Sequence, residues 1–113
     1  MKITLKLLIL SFLFLTTFAG TIYVVDYKPD ADVRIYVTTN KYEANLWVYV
    51  TNYKPEAKNK DEIWFYSNYK FEQNTHKIIF VKYKSDANLV IYFVTYKPDA
   101  QWHIKNQFVG RFK

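Results

Sequence analysis

Cysteine is absent from this 113-residue chain, and glycine and proline are scarce, with 2 and 3 copies. Without thiols there is no disulfide framework, no thiolate zinc site, no catalytic thiol and no lipid-bearing cysteine. Two glycines rule out collagen-like and glycine-rich classes and offer no loop to cradle a phosphate. Histidine is limited to His76 and His103, and the only serines beyond residue 20 are Ser67 and Ser85. Blocks of like charge are missing too: the basic residues are scattered among acidic ones, which is no footprint for nucleic acid. What the chain does have is apolar and aromatic matter, 50% hydrophobic and 20% Phe, Trp and Tyr. That composition argues against disorder.

The amino terminus reads as an address. Lys2 and Lys6 make a positive start, Leu7 to Phe14 is an apolar run broken only by Ser11, and Thr17-Phe18-Ala19 places small residues where a signal peptidase needs them. Residues 1–19 are therefore expected to be a cleaved signal peptide, and residues 20–113 the working β domain, exported to the periplasm or the exterior. The stretch from Leu7 to Phe18 is too short to span about 30 Å of hydrocarbon, so no retained membrane span is expected. The exported part keeps 14 Lys and Arg against 10 Asp and Glu, a mild positive balance.

Self-similarity organises the rest. Tyr27-Lys28-Pro29-Asp30-Ala31, Tyr53-Lys54-Pro55-Glu56-Ala57, Tyr83-Lys84-Ser85-Asp86-Ala87 and Tyr96-Lys97-Pro98-Asp99-Ala100 are copies of one turn. Lys41-Tyr42-Glu43-Ala44 is a variant with the tyrosine shifted. The alanines Ala31, Ala44 and Ala57 are 13 residues apart, as are Ala87 and Ala100. Between the two groups the polar stretch Lys58-Asn59-Lys60-Asp61 supplies four residues beyond the period. Small residues at a fixed place let two backbones approach, so the five alanines are assigned to packing and turns.

Between the turns, Val33–Val37, Leu46–Val50 and Leu89–Val94 alternate apolar residues at period two and are rich in β-branched and aromatic types. They read as strands, as do Ile22–Val25, Ile63–Tyr66 and Ile78–Val81. Leu89–Val94 is apolar on both faces and is expected to be central and most buried. Residues 101–113 read as a last strand or an aromatic tail across the domain. The fold class is thus all-β, one small domain of short repeated strands joined by Tyr-Lys-Pro-Asp-Ala turns. Periodicity alone gives a meander or a solenoid.

The segment from Lys77 to Val94, with Tyr83-Lys84-Ser85-Asp86-Ala87-Asn88 at its middle, resembles the septoil-knot domain, a small bacterial domain of unknown function. The hallmark of that family is short strands joined by Tyr-Lys-x-x-Ala-Asp turns, closing near an Ala-Gly-Trp. The resemblance runs from about Ile22 to Trp102. Ala31-Asp32 matches it, Ala44-Asn45 and Ala87-Asn88 carry the amide instead, and Ala100-Gln101-Trp102 lacks the glycine. The resemblance implies a chain wound on itself into a deep seven-crossing torus knot. It brings no catalytic or binding residues.

No catalytic set is legible. No nucleophile elbow surrounds either serine, and the turn carboxylates Asp30, Asp32, Glu56, Asp86 and Asp99 have local backbone roles to fill. No catalytic residue, metal site or cofactor is assigned. The aromatic excess is the one feature beyond architecture, because Tyr and Trp suit half-exposed surfaces. Trp47 and Tyr49, and likewise Trp64 and Tyr66, form the candidate binding face. The expected function is an exported, monomeric, non-enzymatic domain with a structural or interaction role, its partner an envelope protein or polysaccharide. The alternative is a carbohydrate-binding module stacking sugars on those four rings.

Overall fold

Seven strands alternate with single turns of 3-10 helix in a computed structural model that describes residues 21–71 and 74–113. The expected signal peptide, residues 1–19, lies outside the described residues. The strands are β1 Thr21–Val24, β2 Val33–Val37, β3 Leu46–Val50, β4 Ile63–Tyr66, β5 Thr75–Phe80, β6 Leu89–Phe93 and β7 Gln101–Trp102. The repeated turns are the helical pieces Lys28–Asp30, Lys41–Glu43, Lys54–Ala57, Lys84–Asp86 and Lys97–Asp99. Pro29, Pro55 and Pro98 stand in the first turn, where a missing N–H costs no hydrogen bond and the fixed φ suits the helix.

The strands close a ring in the order β1–β5–β2–β6–β3–β4 and back to β1, every pair parallel. This six-stranded parallel barrel is neither a meander nor a simple solenoid. Strands consecutive in sequence are mostly not neighbours in space. From β1 the chain skips a place to β2 and again to β3, then steps to the adjacent place for β4. It passes β1 and drops β5 into the first gap and β6 into the second. Two laps of one chain are therefore interleaved. The turn Lys41–Glu43 packs on β6, Lys84–Asp86 on β2 and Lys97–Asp99 on β3, each arching over the strand that its connection skips. A closed barrel has no central strand. β6 is covered on both faces because Leu89 and Ile91 point inward while Val90 lies under the Lys41–Glu43 turn.

Register sets the layers. Stepping from each strand to its neighbour, the chain climbs by about two residues, a strong stagger that tilts the strands. Ile22, Ile78, Ile35, Ile91, Val48 and Trp64 then fall at one height, and all six are wholly buried. One step higher come the last residues of the strands, Val24, Phe80, Val37, Phe93, Val50 and Tyr66, which form the upper rim. Leu46, Leu89 and Val33 lie below the central layer.

Three identical clamps bind the laps together. The Asp32 N–H donates to the Lys77 carbonyl (2.8 Å), and the Lys77 N–H donates back to Asp32 Oδ2 (3.2 Å). Asn45 does the same with Val90 (2.8 and 2.9 Å), and Asn88 with Arg34 (2.8 and 2.9 Å). Each clamp follows the repeated alanine. Ala44 is fully buried where the backbone passes close, while Ala31 and Ala87 are half-buried. Ion pairs link neighbouring turns outside: Lys70–Asp30 (2.9 Å), Lys28–Asp86 (2.6 Å), Lys84–Glu43 (3.6 Å) and Lys97–Glu56. Such exposed pairs contribute little individually.

The carboxyl-terminal residues are both strand and tail. After β7, which pairs antiparallel with the start of β3, the tail brings Phe108 and Phe112 against the core. Phe112 packs on Trp64 (5.6 Å) and on His76 (5.5 Å). Asp61, 3% exposed, holds this tail. Its carboxylate accepts from Trp102 Nε1 (3.0 Å), the Gly110 N–H (2.6 Å) and the Phe112 N–H (2.9 Å). His76 Nε2 is buried and has no hydrogen-bond partner among the described residues.

Asn88→Ala leaves the Arg34 N–H without its acceptor and is expected to cost about 1–3 kcal/mol, whereas exposed Lys58→Ala stays within about 0.5 kcal/mol. Denaturant unfolding of the two variants makes the comparison. Burial lowers the His76 pKa, opposed by Asp32 and Asp61 and reinforced by Arg111. The unfolded chain then takes up the proton first, so the stability that neutral His76 confers is complete above about pH 6.5 and declines as pH falls below it. Unfolding midpoints at pH 7.5 and pH 5 should separate in the parent and separate less in His76→Gln.

Candidate binding groove

The turns Lys41–Glu43, Lys84–Asp86 and Lys97–Asp99 arch over skipped strands, whereas the adjacent step from β3 to β4 skips nothing and its turn, Lys54–Ala57, packs on β4 itself. Depressions form on both sides of the upper end of β4. One, of about 400 Å³, is lined by Tyr49, Val50, Thr51, Asn52, Phe65 and Tyr66. The other, of about 320 Å³, is lined by Tyr23, Val24, Tyr66, Ser67 and Asn68. Tyr66 belongs to both and divides them. A third depression continues from Asn68 past Tyr69 and Lys70 to Phe71, which is 86% exposed.

The local chemistry follows from the repeat. Tyr23, Tyr49 and Phe65 occupy equivalent outward places on β1, β3 and β4, so three rings stand side by side at one height. Thr51 and Ser67 begin the links after β3 and β4. Their side-chain oxygens accept from the Tyr53 and Tyr69 N–H groups, both at 3.0 Å, which turns the chain outward and fixes the groove's edge. The side chains of Asn52 and Asn68 are left exposed. Among the described residues, no charged side chain lines either groove beside Tyr66. Burial raises the Tyr66 hydroxyl pKa above its ordinary value, so the phenol stays neutral and can donate.

The four expected platform residues separate. Tyr49 and Tyr66 meet in the groove. Trp64 does not reach the surface: it is wholly buried in the central layer, its ring against Phe93 and Phe112 and its Nε1 donating to the Asp61 carbonyl (2.8 Å). It has no face to offer a ligand. Alternation puts Trp64 and Tyr66 on one face, as expected, but that face points into the barrel, and only the rim position of Tyr66 brings it out. Trp47 is half-buried elsewhere, stacked on His103 (5.0 Å between centroids), with its Nε1 donating to the Lys41 carbonyl (2.8 Å). Lys41 lies over its ring. The two histidines also lie apart, His76 inside the lower mouth and His103 on the outer surface.

Ala57 is fully buried, and Ala100 lies half-buried in a depression with Glu56, Lys60, Glu62 and Lys97. Tyr23 and Phe65 were not singled out from the sequence, although their places in the repeat match that of Tyr49. Asp61 was also missed: it sits in the four-residue insertion, where nothing local distinguishes it from its exposed polar neighbours.

A family model described as the 7(1) septoil knot domain matches residues 19–103, and the chain belongs to that family. The interleaved two-lap winding is the all-β, deeply knotted fold that the resemblance implies. No curated protein and no solved structure compared with the chain matches it.

Truncating the two kinds of aromatic residue should have unequal consequences. Trp64→Ala removes a central-layer side chain and is expected to cost about 3–5 kcal/mol. Tyr49→Ala, at a half-buried edge, is expected to cost less than half of that in the same denaturant titration.

Proposed function

We propose that this septoil knot domain is an exported, non-enzymatic binding domain, and that the groove beside β4 is its contact surface. The observation that carries the reading is the half-buried, uncharged aromatic lining of the depressions on both sides of Tyr66. Tyr23, Tyr49 and Phe65, all half-buried, are placed there side by side by the barrel register. Rings held open on a fixed frame lose little freedom on binding, which favours a recognition surface. The lining supplies no nucleophile beside a base and no pair of carboxylates, so it supports binding and not turnover. Export rests on the charged start, apolar run and small-residue site of residues 1–19. Among the described residues no helix is long and apolar enough to cross a membrane.

Two measurements test the reading. Sequencing the amino terminus of the protein recovered from producing cells should begin at Gly20, whereas a protein starting at Met1 in the cytoplasm would contradict export. A photo-crosslinking residue at position 66 should capture a specific envelope component in intact cells, and the same residue at position 58 should not. Equal capture from both positions would remove the groove from the account.

A further inference from the structure

We propose that the track running from Tyr49 past Tyr66 to Phe71 binds a neutral, linear oligosaccharide. This rests on the groove being the contact surface, and it adds the chemical class of what is bound.

The first argument is continuity. The two depressions beside Tyr66 share that residue, and the second and third share Asn68. The result is one path along the upper rim with an aromatic ring in every segment. A pyranose has a face of C–H groups and a rim of hydroxyls. The face packs on an aromatic ring, and the hydroxyls need donors and acceptors beside it. A side-chain amide offers both, and exposed Asn52 and Asn68 stand beside the rings. Repeating rings along a path suit a ligand that itself repeats.

The second argument is charge. The chain carries an excess of lysine and arginine, yet among the described residues no charged side chain lines the two depressions beside Tyr66; the cations stand at the Phe71 end, where Lys70 pairs with Asp30 at 2.9 Å and Lys70 and Lys77 lie over the Phe71 ring. An anionic polymer would find no cation lining the two depressions beside Tyr66, and nucleic-acid binding depends on several. A peptide added as a strand would need an open sheet edge, but here β4 is already paired with both β3 and β1. A neutral, flat-faced, hydroxylated chain meets none of these objections.

The test uses the exported chain labelled with nitrogen-15, titrated with cellohexaose, chitohexaose and laminarihexaose, and with hexagalacturonate as an anionic chain of equal length. The expected result is a saturable shift of the Asn52 and Asn68 side-chain amide signals with at least one neutral hexasaccharide and none with hexagalacturonate. The matching trisaccharide should bind more weakly. Tyr66→Ala should weaken binding at least tenfold. Asn68→Ala, an exposed substitution that leaves the fold intact, should weaken it as well should the tyrosine variant fail to fold. Binding of hexagalacturonate alone, or of a neutral sugar with shifts elsewhere on the barrel, overturns the proposal. Silence with all three neutral sugars also overturns it. In that case, capture through position 66 still decides separately whether the groove is a contact surface.

Discussion

Two laps of a single chain are held in register by an Asp or Asn that grips one residue of the other lap through both its backbone N–H and its side-chain oxygen. Asp32 on Lys77, Asn45 on Val90 and Asn88 on Arg34 perform this three times. The grip fixes where each strand enters the barrel. The entry point fixes the stagger, and the stagger places the six wholly buried side chains of the central layer at one height. A slip of one residue at any clamp would turn the inward face outward along that strand. The alanine before each clamp is small because a larger side chain would hold the two backbones apart.

The candidate site is a consequence of the same winding. Four of the five steps between barrel strands skip one place, and the step from β3 to β4 does not. The insertion Lys58-Asn59-Lys60-Asp61 marks that irregular step. Asn59 adopts a left-handed backbone (φ 61°) within it, and Asp61 turns inward to fasten the carboxyl-terminal tail. The insertion serves the lower end of the barrel, where its buried carboxylate holds Phe112, and the step it accompanies is the one that skips no strand. The tail that carries Phe108 and Phe112 lies beyond residues 19–103, the stretch that matches the family.

Much of this was legible in the sequence. Alternation located all six barrel strands, since each has one buried face and period two is a local property. The repeated Tyr-Lys-Pro-Asp-Ala segments located the turns because proline and aspartate act within their own neighbourhood. Ring closure and interleaving were not legible, because the partner of Ile22 is His76, far along the chain, and no local pattern encodes that pairing. The resemblance carried the knot where periodicity could not. The fate of the aromatic residues was half legible. Alternation paired Trp64 with Tyr66 and Trp47 with Tyr49, but which face lines the barrel depends on closure. Trp64 and Tyr66 differ only by height in the barrel, and height follows from register.

The central claim is that the clamps join the laps and open only when the whole domain opens. Native-state hydrogen exchange of the Arg34, Lys77 and Val90 amides tests it most directly. All three should exchange at one slow rate, with the same denaturant dependence as global unfolding and as the amides of Ile35 and Ile91. Exchange of the three through a local opening that leaves the Ile35 and Ile91 amides protected would contradict the account.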